Sequence, residues 1–294
     1  MFKSIAIVSA AVVVAYAQTN PLIPTGISSG CRTFLNTLNS DQSLAQCTSA
    51  LTTALDPFLP GSNSNVTPAQ ITSALNAVCA ESGRIPNACP ESVITNHIAA
   101  FGAACSDELL TNANEDVVVI YDILYSLIPM QKSVCSKNDE GNWCVLSGAP
   151  VTTSTADQIQ ESLYTQNGDT VTPNIGAFSA NNIPFIGISP SLEKDALCTV
   201  CTRNVLRNYI NFQSSIPYTP GVINSKLLAR QTDLFGAVAE QCGESFMSSE
   251  VKAAGSLGDT LSKNTSGAAG VDARFQGFVA VVAGLVTLAV SAAL

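Results

Sequence analysis

The sequence predicts an all-α domain, a disulfide-stapled irregular helical bundle with long central loops. Apolar residues recur at spacings of three and four over most of the chain between residues 32 and 242, which is the period of an α-helix. Ten cysteines, an even number, lie between residues 31 and 242. In an oxidising compartment an even set of this kind indicates a disulfide framework. The cysteines are Cys31, Cys47, Cys79, Cys89, Cys105, Cys135, Cys144, Cys198, Cys201 and Cys242.

Composition sets limits on the class of protein. Of the 294 residues, 46% are hydrophobic and 12% are charged, a balance that favours a packed core over a disordered acidic chain. The formal net charge is −9, and Lys plus Arg number only 13. Because a nucleic-acid-binding surface needs clustered cations, nucleic acid is excluded as a partner.

Local signals place the central helices. Thr67-Pro68-Ala69-Gln70 is a capping box with proline at the first helical position, and it predicts a helix start. Pro90-Glu91 predicts a second start and Asn114 a third. The third helix is apolar on nearly every face from Val117 to Ile128, until Pro129 follows, which predicts the buried central helix of the bundle.

The flanking regions are predicted from weaker patterns. Arg32 to Leu59 is helical with a break at Asn39-Ser40-Asp41, where turn formers cluster. Val145 to Pro190 is predicted as long loops with one short helix, Ala156 to Tyr164. Helices are expected again from Ser191 to Phe212 and from Ser225 to Cys242.

The first residues have the three parts of a secretory signal. Lys3 precedes an apolar run from Ile5 to Val14, and Ala15-Tyr16-Ala17 forms the small-x-small pattern of a cleavage site. The run is too short to span a bilayer. Residues 1–17 are therefore expected to be a signal peptide, with the mature chain starting at Gln18.

The last residues predict a glycosylphosphatidylinositol (GPI) attachment signal. Phe278 to Leu294 is apolar with no cation after it, and a spacer separates it from small residues at 264–268. The candidate attachment residues are Asn264, Ser266 and Gly267. The expected organisation is an ectodomain at 18–247, a flexible stalk at 248–266 and a removed propeptide at 267–294. A single C-terminal transmembrane helix is the alternative.

Two N-glycosylation sequons are present, Asn65-Val66-Thr67 and Asn264-Thr265-Ser266. Asn65 lies in the turn before a predicted helix, a position that an oligosaccharyltransferase can reach. Asn264 overlaps the expected GPI attachment region.

Cysteine spacing suggests some pairings. Cys135 and Cys144 bracket a stretch dense in turn formers, which favours a disulfide between them, and Cys79 with Cys89 is a second candidate. Cys198-Thr199-Val200-Cys201 is placed about two turns inside a predicted helix, which disfavours a redox role. Each thiol of this motif is expected to bind a different neighbour, with Cys201 to Cys242 the leading pairing.

No local signature of catalysis is found. His97 shares the stripe of Ile94 and Phe101, which favours a place at the edge of the core. It is the single histidine, and with one CxxC motif a zinc site is disfavoured. The acidic pairs Asp107-Glu108 and Glu115-Asp116 fit first turns of helices, where carboxylates stabilise the dipole. No catalytic, cofactor or metal residue is therefore assigned.

Trp143 is expected to pack in the core against the Cys144 disulfide rather than to stack on a sugar. The motifs Gly141-Asn142-Trp143-Cys144 and Cys198-Thr199-Val200-Cys201-Thr202-Arg203-Asn204, together with the signal peptide and a Ser/Gly/Ala stalk before a GPI-type tail, resemble the fungal secreted, GPI-anchored cysteine-rich proteins. The resemblance covers most of the ectodomain. That group has no established activity, so the resemblance implies location and architecture and no catalytic residue.

Three functions are open at this point. The first is a non-enzymatic cell-surface or cell-wall glycoprotein that binds wall polysaccharide or surface proteins, with the GPI lipid as its anchor. The second is a binding module for a small apolar ligand such as a lipid or sterol, with walls from Val117 to Ile128. The third is an extracellular glycoside-acting enzyme that uses two carboxylates from distant segments.

Overall fold

The computed structural model describes residues 23–58, 67–80, 87–147, 162–167, 170–243 and 245–247. In these residues the chain is mostly helical, which confirms the predicted all-α, disulfide-stapled class. The helices are α1 Ser29–Asn39, α2 Gln42–Ala54, α3 Pro68–Cys79, α4 Glu91–Ala104, α5 Glu115–Val134, α6 Ile175–Ala180, α7 Lys194–Leu197, α8 Val200–Ser215 and α9 Gln231–Cys242.

Short elements connect the helices. Single 3₁₀ turns lie at Asp56–Phe58, Cys144–Leu146, Ile183–Phe185 and Val222–Asn224, and a π-type turn lies at Asp107–Thr111. Strands β1 Tyr164–Asn167 and β2 Thr170–Pro173 pair antiparallel. Tyr164 therefore begins a strand instead of ending the predicted helix at 156–164, whose residues before 162 lie outside the described ranges.

Capping side chains set several helix starts. Thr67 and Gln70 form the predicted capping box of α3, and the Asn114 side chain accepts a 3.1 Å hydrogen bond from the Val117 N–H at the start of α5. Asp41 caps α2 after the predicted break, since its carboxylate accepts from the Ser43 and Leu44 N–H groups. Each cap satisfies N–H groups that have no partner inside the helix.

Two predicted starts are wrong. Helix α8 begins at Val200, because the Thr199 side chain caps it by accepting from the Thr202 N–H, so Cys198 precedes the helix and Cys201 lies in its first turn. Helix α9 begins at Gln231 rather than near Ser225, because Ser225 and the residues after it bind the central helix instead.

Helix α5 is the centre of the fold and packs against α3, α4 and α8. Every residue from Tyr121 to Met130 is buried, which confirms the predicted central helix. The helix is long and apolar enough to cross a membrane, but 78% of its apolar window is buried inside the fold, as in a core helix. It continues through Pro129 to Val134 instead of ending before the proline, since packing on all sides offsets the lost N–H.

All ten cysteines are paired, and the Cα atoms of each pair lie 4.5 to 5.4 Å apart. The two thiols of the CxxC motif bind different neighbours, as expected. The disulfides are Cys31–Cys105, Cys47–Cys89, Cys79–Cys135, Cys144–Cys201 and Cys198–Cys242.

The pairings suggested from spacing are wrong: Cys135 does not bind Cys144, Cys79 does not bind Cys89, and Cys201 does not bind Cys242. The hairpin between Cys135 and Cys144 is closed by backbone contacts instead, a bridge between Lys137 and Trp143 and a 2.8 Å bond from the Cys144 N–H to the Ser136 carbonyl. Both cysteines are then available to reach other helices.

The disulfides fall into two sets. Three lie within residues 31–135, which we call the N-terminal half, and two lie within residues 144–242, which we call the C-terminal half. Since every cysteine of the chain is used, no disulfide joins the halves.

Two disulfides in different halves close loops of almost equal length, with sequence separations of 42 for Cys47–Cys89 and 44 for Cys198–Cys242. If loop-closure entropy in the unfolded chain dominates, the double variants Cys47→Ser/Cys89→Ser and Cys198→Ser/Cys242→Ser each lower the free energy of unfolding by about 4 kcal/mol. Urea denaturation of the two variants measures both values. A difference of several kcal/mol between them would contradict an entropic origin.

Candidate functional site

The most unusual chemical group of the described residues is a buried carboxylate, Asp122, in the middle of α5. Its side chain has no solvent exposure. One carboxylate oxygen accepts hydrogen bonds from the Tyr218 hydroxyl and, at 2.7 Å, from the Ser225 hydroxyl. The other accepts from the backbone N–H groups of Lys226 at 2.6 Å and Leu227 at 3.2 Å. We call these five residues the Asp122 network.

Neutral donors, rather than a cation, satisfy this carboxylate. The Lys226 ammonium binds Glu115 at 2.9 Å, away from Asp122. The Ser225 hydroxyl also accepts from the Leu227 and Leu228 N–H groups, so the turn at 225–228 directs several donors to one place. Concentrated N–H donors of this kind form an anion-binding concavity, and here the anion is the protein's own side chain.

Burial dominates the ionisation of the network. Desolvation raises the pKa of Asp122 above its ordinary value, and the bonds from Tyr218, Ser225, Lys226 and Leu227 oppose that rise. Desolvation and the neighbouring carboxylate raise the pKa of Tyr218, so its hydroxyl stays protonated and donates. The network is closed to solvent and therefore offers no substrate access.

Buried tyrosines extend the same contact surface. The Tyr121 hydroxyl lies 3.0 Å from the Thr219 hydroxyl, and the Tyr125 hydroxyl donates to the Ile216 carbonyl. Desolvation raises the pKa of both tyrosines. Tyr218 packs between them, with ring centroids 5.3 Å from Tyr121 and 5.0 Å from Tyr125. One face of α5 thus holds the segment 216–228 by three buried side chains, Tyr121, Asp122 and Tyr125.

His97 does not complete a catalytic triad. Its Nε2 lies 3.7 Å from an Asp41 carboxylate oxygen, and the Ser43 hydroxyl donates to the same Asp41 carboxylate. A triad needs the serine hydroxyl on the histidine, with the aspartate behind it. Here the aspartate lies between the two and caps α2, and the His97 side chain is 19% exposed at the edge of the core.

Both carboxylates of the acidic pair Asp107-Glu108 have structural roles, and the role of Glu108 was not predicted from its position in the sequence. Glu108 is buried, and one carboxylate oxygen accepts the Ser28 N–H at 2.5 Å, which holds the start of α1. Burial opposes ionisation, but this bond and the backbone N–H of Glu108 prevail and lower its pKa. The Asp107 carboxylate accepts both of its bonds from the Asn112 amide.

Glu108 also lies beside the Cys31–Cys105 disulfide. A carboxylate oxygen and the two sulfur atoms lie within 4.8 Å of one another, a spacing that suits a metal ion. Both sulfurs are bonded to each other, so neither is a thiolate that could act as a ligand. The group therefore has no ligand set for a metal.

The pair Glu115-Asp116 lies at a shallow surface groove of about 550 Å³. Lys226 neutralises Glu115, and the Arg230 guanidinium donates to the Ala180 carbonyl at 3.4 Å across the groove. A glycoside-acting site needs an accessible acid with a raised pKa. Among the described residues, Asp122 is the carboxylate with a raised pKa, and it is fully buried.

Trp143 lies in the hairpin after Cys135 and is half-buried. The Lys137 ammonium lies 4.1 Å from the centroid of its ring, a cation–π contact that covers one face of the indole. That face cannot stack on a sugar while the lysine occupies it. Trp143 also packs against the core beside Cys144, in line with the expectation from its sequence position.

Four residues assigned from sequence motifs, Asn65, Asn264, Ser266 and Gly267, lie outside the described residues. The predicted signal peptide, stalk and GPI tail lie outside them as well. The ten disulfide cysteines are the assigned residues that the structure does place, and none of them is free.

Comparison with models of protein families, with curated proteins and with solved structures finds no match for this chain.

Substitution of Asp122 tests the network. In Asp122→Asn only one acceptor oxygen remains, so in either orientation of the amide two of the four buried donors lose their acceptor. We expect a loss of about 3 kcal/mol in the free energy of unfolding. Asp116→Asn, at an exposed position of the same helix, is the matched control with a change below about 0.5 kcal/mol. Equal stability of the two variants in urea would rule out a structural role for the carboxylate.

The cap of α2 predicts a pH dependence. The Ser43 hydroxyl, two backbone N–H groups and His97 lower the pKa of Asp41 below 3.8, and its partial burial opposes them. A lowered folded-state pKa contributes stability above the unfolded value, and that contribution is lost as the pH falls through the folded value. Asp41→Asn keeps a cap that does not titrate. Urea midpoints from about pH 4 to about pH 2 should fall less in this variant than in the wild type.

Proposed function

We propose that the protein is a GPI-anchored extracellular cell-surface or cell-wall glycoprotein with a structural or interaction role. The observation that carries the proposal is the complete use of ten cysteines in five disulfides. Disulfides form and persist outside the cytosol, because thiols inside the cytosol are kept reduced. This supports an extracellular location, and the predicted signal peptide and GPI tail supply the route and the attachment.

The use of the polar groups supports a structural or interaction role. Asp122, Glu108 and Asp41 each bind backbone N–H groups that fix the start of a helix or the path of a loop. Of four buried tyrosines, Tyr121, Tyr125 and Tyr209 bind hydroxyl or carbonyl oxygens of the segments between helices, and Tyr218 donates to the Asp122 carboxylate. The strongest polar contacts of the described residues thus stabilise the shape of the domain, which is what a displayed surface requires.

The two alternatives find less support in the described residues. Val117 to Ile128 are the expected walls of an apolar cavity, and all of them except the partly buried Val119 and Ile120 are buried inside the fold. The two described grooves, one along α2 and one beside Glu115, are shallow and lined largely by polar or small side chains. An apolar ligand and a glycoside substrate would both need a deeper and more accessible site.

Release from the cell surface tests the proposal. The full chain, carrying an epitope after Gln18, is expressed in a fungal cell, and intact cells are treated with a phospholipase C that cleaves GPI anchors. We expect the epitope to leave the surface and the released protein to contain ethanolamine from the anchor. Leu285→Arg/Leu288→Arg places two cations in the apolar tail and should abolish attachment, because the tail must be apolar to act as a signal.

Leu285→Ile/Leu288→Ile is the matched control, and it keeps the tail apolar. A wild-type protein that stays on the cell after the phospholipase and lacks ethanolamine would contradict the GPI anchor. It would favour the transmembrane alternative instead.

A further inference from the structure

The covalent connection between the two halves is a single short hairpin. Every peptide bond from Cys31 to Cys135 and from Cys144 to Cys242 lies inside at least one disulfide-closed loop. The bonds between Cys135 and Cys144 lie inside none. One cut there separates the chain into two covalent units, whereas one cut elsewhere between Cys31 and Cys242 does not.

The tip of this hairpin is exposed, and its hydrogen bonds join residues of the hairpin. The four residues from Asp139 to Asn142 are exposed. Gly141 has a φ of +80°, and a Cβ atom built on it would have no neighbouring atom within 4 Å. The Asn142 N–H, for example, donates to the Asn138 side chain at 2.8 Å. Opening the tip therefore breaks few contacts and none with a helix.

The base of the hairpin is held by α8. The Asn204 amide donates to the Lys137 carbonyl at 3.1 Å, and the Asn208 amide donates to the Ser136 hydroxyl at 3.0 Å. These bonds keep the two ends of the hairpin in place when its tip is opened. An endoprotease that accepts acidic residues before the cut can then reach the bond after Asp139 or Glu140, while Lys137 is held at the base.

The contacts between the halves are extensive and non-covalent. Asp122 belongs to the N-terminal half and its four donors to the C-terminal half. The Tyr125 ring packs edge-on against Phe212 of the other half, with centroids 5.0 Å apart, and α5 packs along α8. The Asp122 network lies at the centre of this interface and is shielded from water.

We propose that the hairpin tip Asp139–Asn142 is a proteolytic processing site, and that cleavage there yields two disulfide-closed chains held together by the Asp122 network and the packing around it. The step is a hydrolysis. The hydroxyl of one water bonds to the carbonyl carbon, the C–N bond breaks, and the nitrogen leaves with a proton as an amine. All five disulfides remain as they are.

On the cell, this inference rests on the proposed function. The C-terminal half continues into residues 248–266 and so would stay with the anchor. The N-terminal half, with the sequon at Asn65, would then be held at the surface by non-covalent contacts alone. Before cleavage the N-terminal half is covalently attached to the surface, and after cleavage it can dissociate from the C-terminal half and leave the cell.

Limited digestion of the folded full chain tests the site. A glutamate-specific endoprotease is added, and the products are separated by denaturing electrophoresis without reductant. We expect two bands that each have the size of one half, because a cut between Cys135 and Cys144 divides the chain near its middle even without reductant. Cuts after Glu244 or Glu250, beyond Cys242, would remove only a C-terminal piece and leave the two halves joined. A single band without reductant, under conditions in which reduction shows fragments, would overturn the proposal, since the cuts would then lie inside the disulfide loops.

Two sets of controls accompany this digestion. Asp139→Asn/Glu140→Gln removes both acidic residues and should prevent the separation into two bands. An engineered protease site inserted after Ser191, an exposed position inside the Cys144–Cys201 loop, should give one band without reductant and two with it. Two bands without reductant from that site would show that the disulfides are not those described here.

The cut protein then tests the interface. Size-exclusion chromatography without denaturant should show one particle of the size of the intact chain. In the Asp122→Asn background we expect the dissociation constant between the halves to rise about 100-fold, and in the Asp116→Asn background it should stay unchanged. Halves that separate at once in the cut wild type would overturn the proposed role of the network.

Cells that carry the protein separate this inference from the proposed function. A protein that is released by the phospholipase but never appears as two chains overturns the processing site alone. A protein that appears as two chains but resists the phospholipase overturns the anchor alone.

Discussion

The fold depends on the burial of one carboxylate. Asp122 lies where a central helix of apolar residues meets the segment 216–228, whose short 3₁₀ turn at Val222–Asn224 leaves the N–H groups of Lys226 and Leu227 to be paired by the carboxylate. Four donors converge on the carboxylate, and the turn at 225–228 that supplies three of them is thereby fixed. Removing any partner leaves a buried polar group unsatisfied, which costs more than the bond itself contributes. The path of the segment after α8 along α5 is thereby fixed by this contact.

The buried tyrosines solve the same problem at other places. Loops that cross a core carry backbone carbonyls that need donors. Tyr125 provides one for Ile216, and Tyr209 of α8 provides one for Pro184 at 2.6 Å. Each ring adds apolar area while its hydroxyl binds the loop, so a single residue both fills the core and fixes an irregular segment. This explains how a domain with long non-helical stretches keeps a defined interior.

The sequence predicts the parts of this fold that depend on neighbouring residues. The capping box at Thr67, the cap at Asn114 and the apolar run after it identify α3 and α5, because these signals act within one or two turns. Disulfide pairing joins positions 42 to 74 residues apart, and the three suggested pairs are wrong because spacing along the chain does not indicate which helices meet.

Asp122 could have been singled out from the sequence. It is the one acidic residue inside the run from Val117 to Ile128, and a charge in such a run must find partners. Ser225 and Tyr218, its partners, could not be found from the sequence, since they lie about a hundred residues away.

The order of the disulfides also determines how the domain carries mechanical force. Tension applied to the chain beyond Cys242 passes through the Cys198–Cys242 bond, along Thr199 and Val200 to Cys201, and through the Cys144–Cys201 bond to the hairpin. The residues from 145 to 197 and from 202 to 241 lie outside this shortest covalent route. A domain connected in this way extends by only a fraction of its contour length before covalent bonds bear the tension.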